Sequence, residues 1–242
     1  DDLGAIAPGR VTLLESWGAP HAVEALVWNL LAGTVAAGRN AVVVDGGNRM
    51  NVYSFARAAE ARGIDPAHAL ASVRVARGFT AYQFQTLVED HLPRARDPNC
   101  GLVAALSFPD MYLDEDLPPA EGRVLARRAF EALRREAESR RAPAIVSVHG
   151  LPATRAAPTL RAILTDLADE IVGVAPMGAN LRVTLPRRGV TALATAPGAR
   201  QRTLAAYGVA RDAAGEEGPT MHKVRPQSWM LGWTREGGRP AA

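Results

Sequence analysis

The sequence predicts an α/β fold: a mainly parallel central sheet flanked by helices, with an antiparallel strand extension on the C-terminal side. Three observations predict it. Short apolar runs alternate with segments whose apolar residues recur at helical spacing, from residue 10 to residue 167. The run at 102–108 reads as a continuous apolar strand of the kind buried on both faces, and 144–149 as another buried strand. After residue 170 strand-like runs follow one another with no helix between them, which closes a parallel sheet with antiparallel strands.

Element by element, residues 10–15 read as a buried strand. A helix follows over 20–37, with Val23, Leu26, Val27, Leu30 and Thr34 on one face and Gly38 as its stop. Residues 41–45 form a short strand ending in Gly46-Gly47. Residues 51–62 form a helix with Val52, Phe55, Ala56 and Ala59 inward, closed by Gly63. A strand at 72–76 precedes a helix that Thr80 caps and that runs to residue 92, with Phe84, Leu87 and Val88 inward. Residues 93–99 are a loop and 102–108 a strand. A long acidic loop at 109–122 leads into a helix over 118–141, with Ala126, Phe130, Leu133 and Ala137 inward. Beyond the strand at 144–149, residues 159–167 are helical. Strands at 170–174, 181–185 and 190–195 close the core, the last two joined by a hairpin turn at 186–189. This divides the chain into a core at 1–196 and a Gly-, Pro- and Arg-rich tail at 197–242. No internal repeat is evident.

Composition sets limits on function. The chain has 242 residues, 48% hydrophobic and 22% charged, in the range of a globular protein with a sizeable core. No apolar run reaches the ~18 residues of a membrane span, and no secretory leader is visible. Cys100 is the sole cysteine, so no internal disulfide and no Cys/His zinc cluster forms; its thiol reads as a small buried group. The expected setting is cytoplasmic, and nucleoid-associated if the chain binds DNA. Charge is uneven: residues 182–242 hold ten Lys/Arg and four Asp/Glu, a balance of +6, against −3 over residues 1–181. That asymmetry suits a polyanion or an acidic partner.

In a doubly wound sheet, ligands sit beyond the C-terminal ends of the strands. There the first strand–loop–helix would carry a phosphate loop, G-x-x-x-x-G-K-[ST]. In that register stand Glu15, Gly18, Pro20, His21 and Ala22. Glu15 sets a carboxylate where a glycine would let the backbone wrap an anion, and Pro20 removes an N–H from the cradle. His21 is shorter than Lys and mostly neutral at pH 7, and Ala22 has no hydroxyl for magnesium. Two readings stand: a degenerate phosphate loop, or an ordinary strand–helix turn.

The flanking residues resemble the RecA/RadA recombinase superfamily, the RadA and RadB branch above all. The resemblance rests on Val44-Asp45-Gly46-Gly47-Asn48, on Phe55 to Pro66 ending in Gly63-Ile64-Asp65-Pro66, on Val73 to Gln83 with Ala76-Arg77-Gly78-Phe79, and on Arg161 to Asp169. It spans roughly residues 8–190, through the order and spacing of several weak motifs. The resemblance implies a RecA-like core, and within it a catalytic set that this chain lacks. The phosphate-loop Lys and Thr fall on His21 and Ala22, the catalytic Glu on Gly47 or Gly46, the magnesium-associated Asp on Leu106, and the sensor Gln near His149. Phosphoryl transfer depends on positioned charge, so the expectation is a pseudo-ATPase with no catalytic residue, no cofactor and no metal. Asp45 and Asp110 read as cap or turn residues, and His149 as a packed, hydrogen-bonded histidine.

The family's DNA-contacting loops fall at 109–122 and 150–159. The first carries Asp110, Asp114, Glu115, Asp116 and Glu121 and no basic residue, which repels phosphate; the second holds only Arg155, with Arg161 beyond. Arg187, Arg188, Arg200, Arg202, Lys223, Arg225, Trp229 and Trp233 offer another surface. Arginine interleaved with tryptophan suits single-stranded nucleic acid, and equally describes a solvated basic edge whose tryptophans fill the core. Arg127, Arg128, Arg134 and Arg135, among Glu131, Glu136 and Glu138, read as a solvated helix face laced with i,i+4 pairs. The resemblance then implies an accessory protein of DNA recombination or repair that binds single-stranded DNA, a recombinase or related RecA-like protein, or both, without ATP hydrolysis. The alternative is a structural or regulatory subunit acting by protein contacts alone. A homo- or hetero-oligomer fits either.

Overall fold

The computed structural model describes residues 6–16, 20–151, 154–177 and 180–195. The tail at 197–242 therefore lies outside the described residues, and so does the expected core boundary.

Eight strands form one sheet in the order β3-β2-β4-β5-β1-β6-β7-β8. They are β1 Val11–Ser16, β2 Asn40–Asp45, β3 Val73–Arg77, β4 Cys100–Leu106, β5 Ala144–Val148, β6 Glu170–Met177, β7 Asn180–Leu185 and β8 Val190–Thr195. The first six strands pair in parallel, while β7 and β8 add antiparallel. This α/β arrangement, mostly parallel with its antiparallel strands at the C-terminal side, is consistent with a RecA-like core. Pro186–Arg188 make the hairpin turn, and Gly189 completes it at φ +63°, a left-handed conformation that favours glycine.

Helices cover both faces. On one lie α1 Pro20–Ala36, α2 Val52–Glu60 and α3 Pro66–Ala71; on the other lie α4 Ala81–Thr86, α5 Leu92–Arg94, α6 Pro119–Arg140 and α7 Ala157–Leu167. Successive strand residues serve the two sides: Leu13 packs with the α4–α7 layer and Leu14 with the α1–α3 layer. Burial on both faces is why β4 reads as a continuous apolar run and β5 as a buried strand.

The helix termini follow their sequence signals. Asn51, Asp65 and Thr80 each accept a backbone N–H from the residue three further on. Gly38, at φ +71°, closes α1, its N–H bonded to the Val35 carbonyl. At the end of α6 that left-handed position is held by Arg141, at φ +50°.

Four readings are corrected. The buried face of α1 is Ala22, Val23, Val27, Trp28, Leu31, Ala32 and Val35, with Leu26, Leu30 and Thr34 only half-buried. The sheet beneath and α2 beside it ask for a wider stripe, rotated from the one expected. The helix expected from Thr80 to residue 92 is interrupted by a π-helical turn, Leu87–His91. Two short elements were missed: α3, and a 3-10 turn over Asp110–Leu113 inside the acidic loop. Finally, the arginines of α6 pair mostly off their own helix. Arg128 makes a two-pronged bond to Glu89, Arg134 reaches the Leu167 carbonyl, and only Arg140–Glu136 is an i,i+4 pair.

Candidate functional site

β1 and β5 are neighbours, yet their chains depart to opposite faces, β1 into α1 and β5 towards α7. The same parting occurs between β2, which leads to α2, and β4, which leads to α6. Each parting opens a crevice beyond the strand ends, where a doubly wound sheet binds its ligands.

At the first crevice Glu15, one residue before the end of β1, lies in register with Val148. Its carboxylate is buried, and Arg161 of α7 donates Nε–H to it at 2.8 Å. Pro20, His21 and Ala22 open α1. A nucleoside triphosphate with magnesium does not fit these residues: the buried group facing the phosphate position is anionic, and the first turn of α1 supplies neither an ammonium nor a hydroxyl. Gly18 lies outside the described residues.

Next to it stands His149. The Ser107 backbone N–H donates to Ser147 Oγ at 3.1 Å, and that hydroxyl lies 2.9 Å from His149 Nε2. Glu24 of α1 faces Nδ1 at 3.9 Å. Glu24 also approaches Arg49, at 3.7 Å. His149 is thus the packed, hydrogen-bonded residue expected. Its neighbours Ser147 and Glu24, and Ser107 behind Ser147, were not foreseen, because they come from β5, α1 and the residue after β4 and meet only in the folded chain.

At the second crevice, Gly46 and Gly47 are closely packed. A Cβ on Gly46 would lie 2.2 Å from Met111 Cε, and one on Gly47 would lie 2.5 Å from Ser107 Cβ. Neither position can project a carboxylate without displacing its neighbours. Leu106 is buried in the α1–α3 layer. Asp45 is spent on structure: it accepts the N–H groups of Arg49 and Met50 and pairs with Arg77 at 3.3 Å. Burial pushes the Asp110 carboxyl above the ordinary carboxylate range, with Arg49 and Ser107 opposing. Among the described residues, no group of three or more His, Cys, Asp or Glu could hold a metal ion.

The expected DNA-contacting residues divide. Arg161 is bound to Glu15. Arg187 donates to the carbonyls of Thr165, Ala168 and Asp169, closing the end of α7, and Arg188 pairs with Glu170. Arg155 is exposed. Arg200, Arg202, Lys223, Arg225, Trp229 and Trp233 lie outside the described residues. An open groove of about 480 Å³ runs beside α7, lined by Leu151, Thr154, Ala157, Pro158, Arg161 and Thr165. Among the described residues, no helix is long and apolar enough to cross a membrane. Compared with known proteins, the sequence matches no family model and no curated protein.

Proposed function

We propose that this chain is a non-catalytic RecA-like accessory protein of DNA recombination or repair. It binds single-stranded DNA, a recombinase, or both, without hydrolysing ATP. The observation that carries the non-catalytic part is the Glu15–Arg161 pair: a protein cation satisfies a buried protein anion at the crevice where a phosphate would have to sit. Gly46 and Gly47, packed against Met111 and Ser107, support the same reading for the attacking-water side. The recombination role rests on the resemblance between residues 8 and 190.

A second reading is a subunit acting by protein contact alone. It is favoured by the commitment of Arg161, Arg187 and Arg188 to internal partners, and by three exposed aromatics, Tyr53, Phe79 and Tyr82.

The test is binding of a fluorescent single-stranded oligonucleotide across a salt series, with and without ATP and magnesium. The accessory reading expects binding that weakens steeply with salt and ignores ATP. No binding at low salt removes the DNA role and leaves the protein-contact reading.

A further inference from the structure

Parallel pairing brings the N-terminal ends of β2, β4, β5 and β1, consecutive in the sheet, to one rim of the molecule. Nearly every chain that enters this rim carries an arginine. Arg10 immediately precedes β1, and its carbonyl accepts the Ala144 N–H at 2.9 Å, which fixes it against the start of β5. Arg141, in its left-handed conformation, lies just before β5, and the Gly9 N–H donates to the Ala142 carbonyl beside it. Arg94 and Arg96 lead into β4. Their segment is sewn to the end of α6 by Arg140, whose guanidinium reaches the carbonyls of Leu92 and Ala95. Arg39 enters β2 and donates to the carbonyls of Asn99 and Cys100, so no carboxylate neutralises it.

Arg10, Arg94, Arg96 and Arg141 are exposed, and none of their side chains makes an ion pair or hydrogen bond among the described residues. The nearby carboxylates of Asp97, Glu136 and Asp169 are occupied by Asn40, Arg140 and the Val11 backbone N–H, while Glu138, beside Gly9, and Asp90 are exposed. The opposite rim carries the acidic loop with Asp110, Asp114, Glu115, Asp116 and Glu121. A polyanion approaching this molecule is therefore repelled at the strands' C-terminal ends and attracted at their N-terminal ends.

We propose that this N-terminal rim, through Arg10, Arg94, Arg96 and Arg141, holds the phosphodiester backbone of single-stranded nucleic acid. The proposal rests on the DNA-binding reading above and moves the contact surface to the pole away from the crevices. Strand spacing of about 4.8 Å makes the path from β4 to β1 roughly 10 Å, short enough for one stretch of backbone to meet all four arginines. The exposed aromatics Tyr53, Phe79 and Tyr82 follow the C-terminal ends of β2 and β3, so the rim holds charge without a stacking platform. Binding there is indifferent to base sequence. Its log–log salt slope is about −3 for four phosphates on a single strand.

The experiment uses the full chain and a fluorescent oligothymidylate at low salt. The combined variant Arg10→Gln, Arg94→Gln, Arg96→Gln, Arg141→Gln should bind about 10- to 100-fold more weakly, with a flatter salt slope. A second combined variant, Arg200→Gln, Arg202→Gln, Lys223→Gln, Arg225→Gln, separates the rim from the tail. Footprinting of the unaltered protein with an arginine-selective dicarbonyl guards against a folding defect. The oligonucleotide should protect Arg10, Arg94, Arg96 and Arg141 and leave the exposed Arg57 and Arg127 reactive. Wild-type binding that survives the rim substitutions, with those four arginines unprotected, overturns the rim and leaves the DNA-binding reading standing. No wild-type binding overturns both.

Discussion

Arg161 Nε and the Glu15 carboxylate meet at 2.8 Å across the crevice between β1 and α7. The carboxylate is buried and the guanidinium half-exposed, so the pair joins the end of the first strand to a helix 146 residues further along the chain. It makes this crevice a structural joint.

Arg161→Ala should therefore destabilise the fold by about 1–2 kcal/mol, less than a fully buried pair because water reaches the arginine side. Adding Glu15→Gln should recover part of that loss by removing the buried charge. Urea denaturation of the two single variants and the double variant measures the coupling; additive losses would show that the pair contributes nothing.

On the non-catalytic reading proposed above, installing phosphate-loop side chains should not create hydrolysis. His21→Lys with Ala22→Thr leaves Glu15 beside the phosphate position and no carboxylate at Gly46 or Gly47. Millimolar ATP with magnesium should leave both the melting temperature and phosphate release at the wild-type baseline. A ligand bound at 100 times its Kd would stabilise by about 2.7 kcal/mol, an easily seen shift.

Gly122 sits in the first turn of α6, where an alanine would gain about 1 kcal/mol of helix propensity. Its added Cβ would lie 2.5 Å from the Tyr112 carbonyl oxygen, a backbone atom that cannot swing aside. The clash wins, and Gly122→Ala should lose about 1–3 kcal/mol in thermal or chemical unfolding.

Two carboxylates give opposite pH dependences. Asp110 titrates higher in the folded chain because burial disfavours its charge, so the fold binds the proton more tightly and wild type loses stability as pH rises from 3.8 through the raised value. The melting temperature of Asp110→Asn relative to wild type should thus climb between about pH 3 and about pH 7. Asp97 titrates lower, chiefly through its hydrogen bond from Asn40, so its contribution is present above 3.8 and is lost as pH falls through the depressed value. Asp97→Asn should be most harmful at neutral pH and nearly silent in acid.

Phe108 packs edge-on against Phe84 and Phe130, with ring centroids 5.6 and 6.0 Å away, and tilts against Tyr112 at 5.2 Å. Phe108→Ala should cost about 3–5 kcal/mol. Near-ultraviolet circular dichroism should lose its aromatic signal before helix content falls.

Strand and helix order was legible in the sequence because each apolar run carries its own period: two-sided burial in β4 and β5, and a one-sided stripe in α6 at Ala126, Phe130, Leu133 and Ala137. Capping was legible too, since Asn51 and Thr80 act on N–H groups only three residues away. The residue types in the phosphate-loop register, Glu15, Pro20, His21 and Ala22, were read from local spacing alone. The face of α1 was not legible, because the sheet beneath it and α2 beside it decide how wide a stripe it buries. Nor were the committed roles of Arg161, Arg187 and Arg188, or the network of Ser107, Ser147, His149 and Glu24. Each of these joins side chains from different strands and helices, and what an arginine does depends on which carboxylate or carbonyl the fold brings within about 3 Å of it. The sequence by itself determined the periodicities, the caps and the chemistry missing from the first loop. Only the tertiary structure decided which charges are spent inside the molecule and which remain on its surface, since ion pairing depends on distance through space and not along the chain.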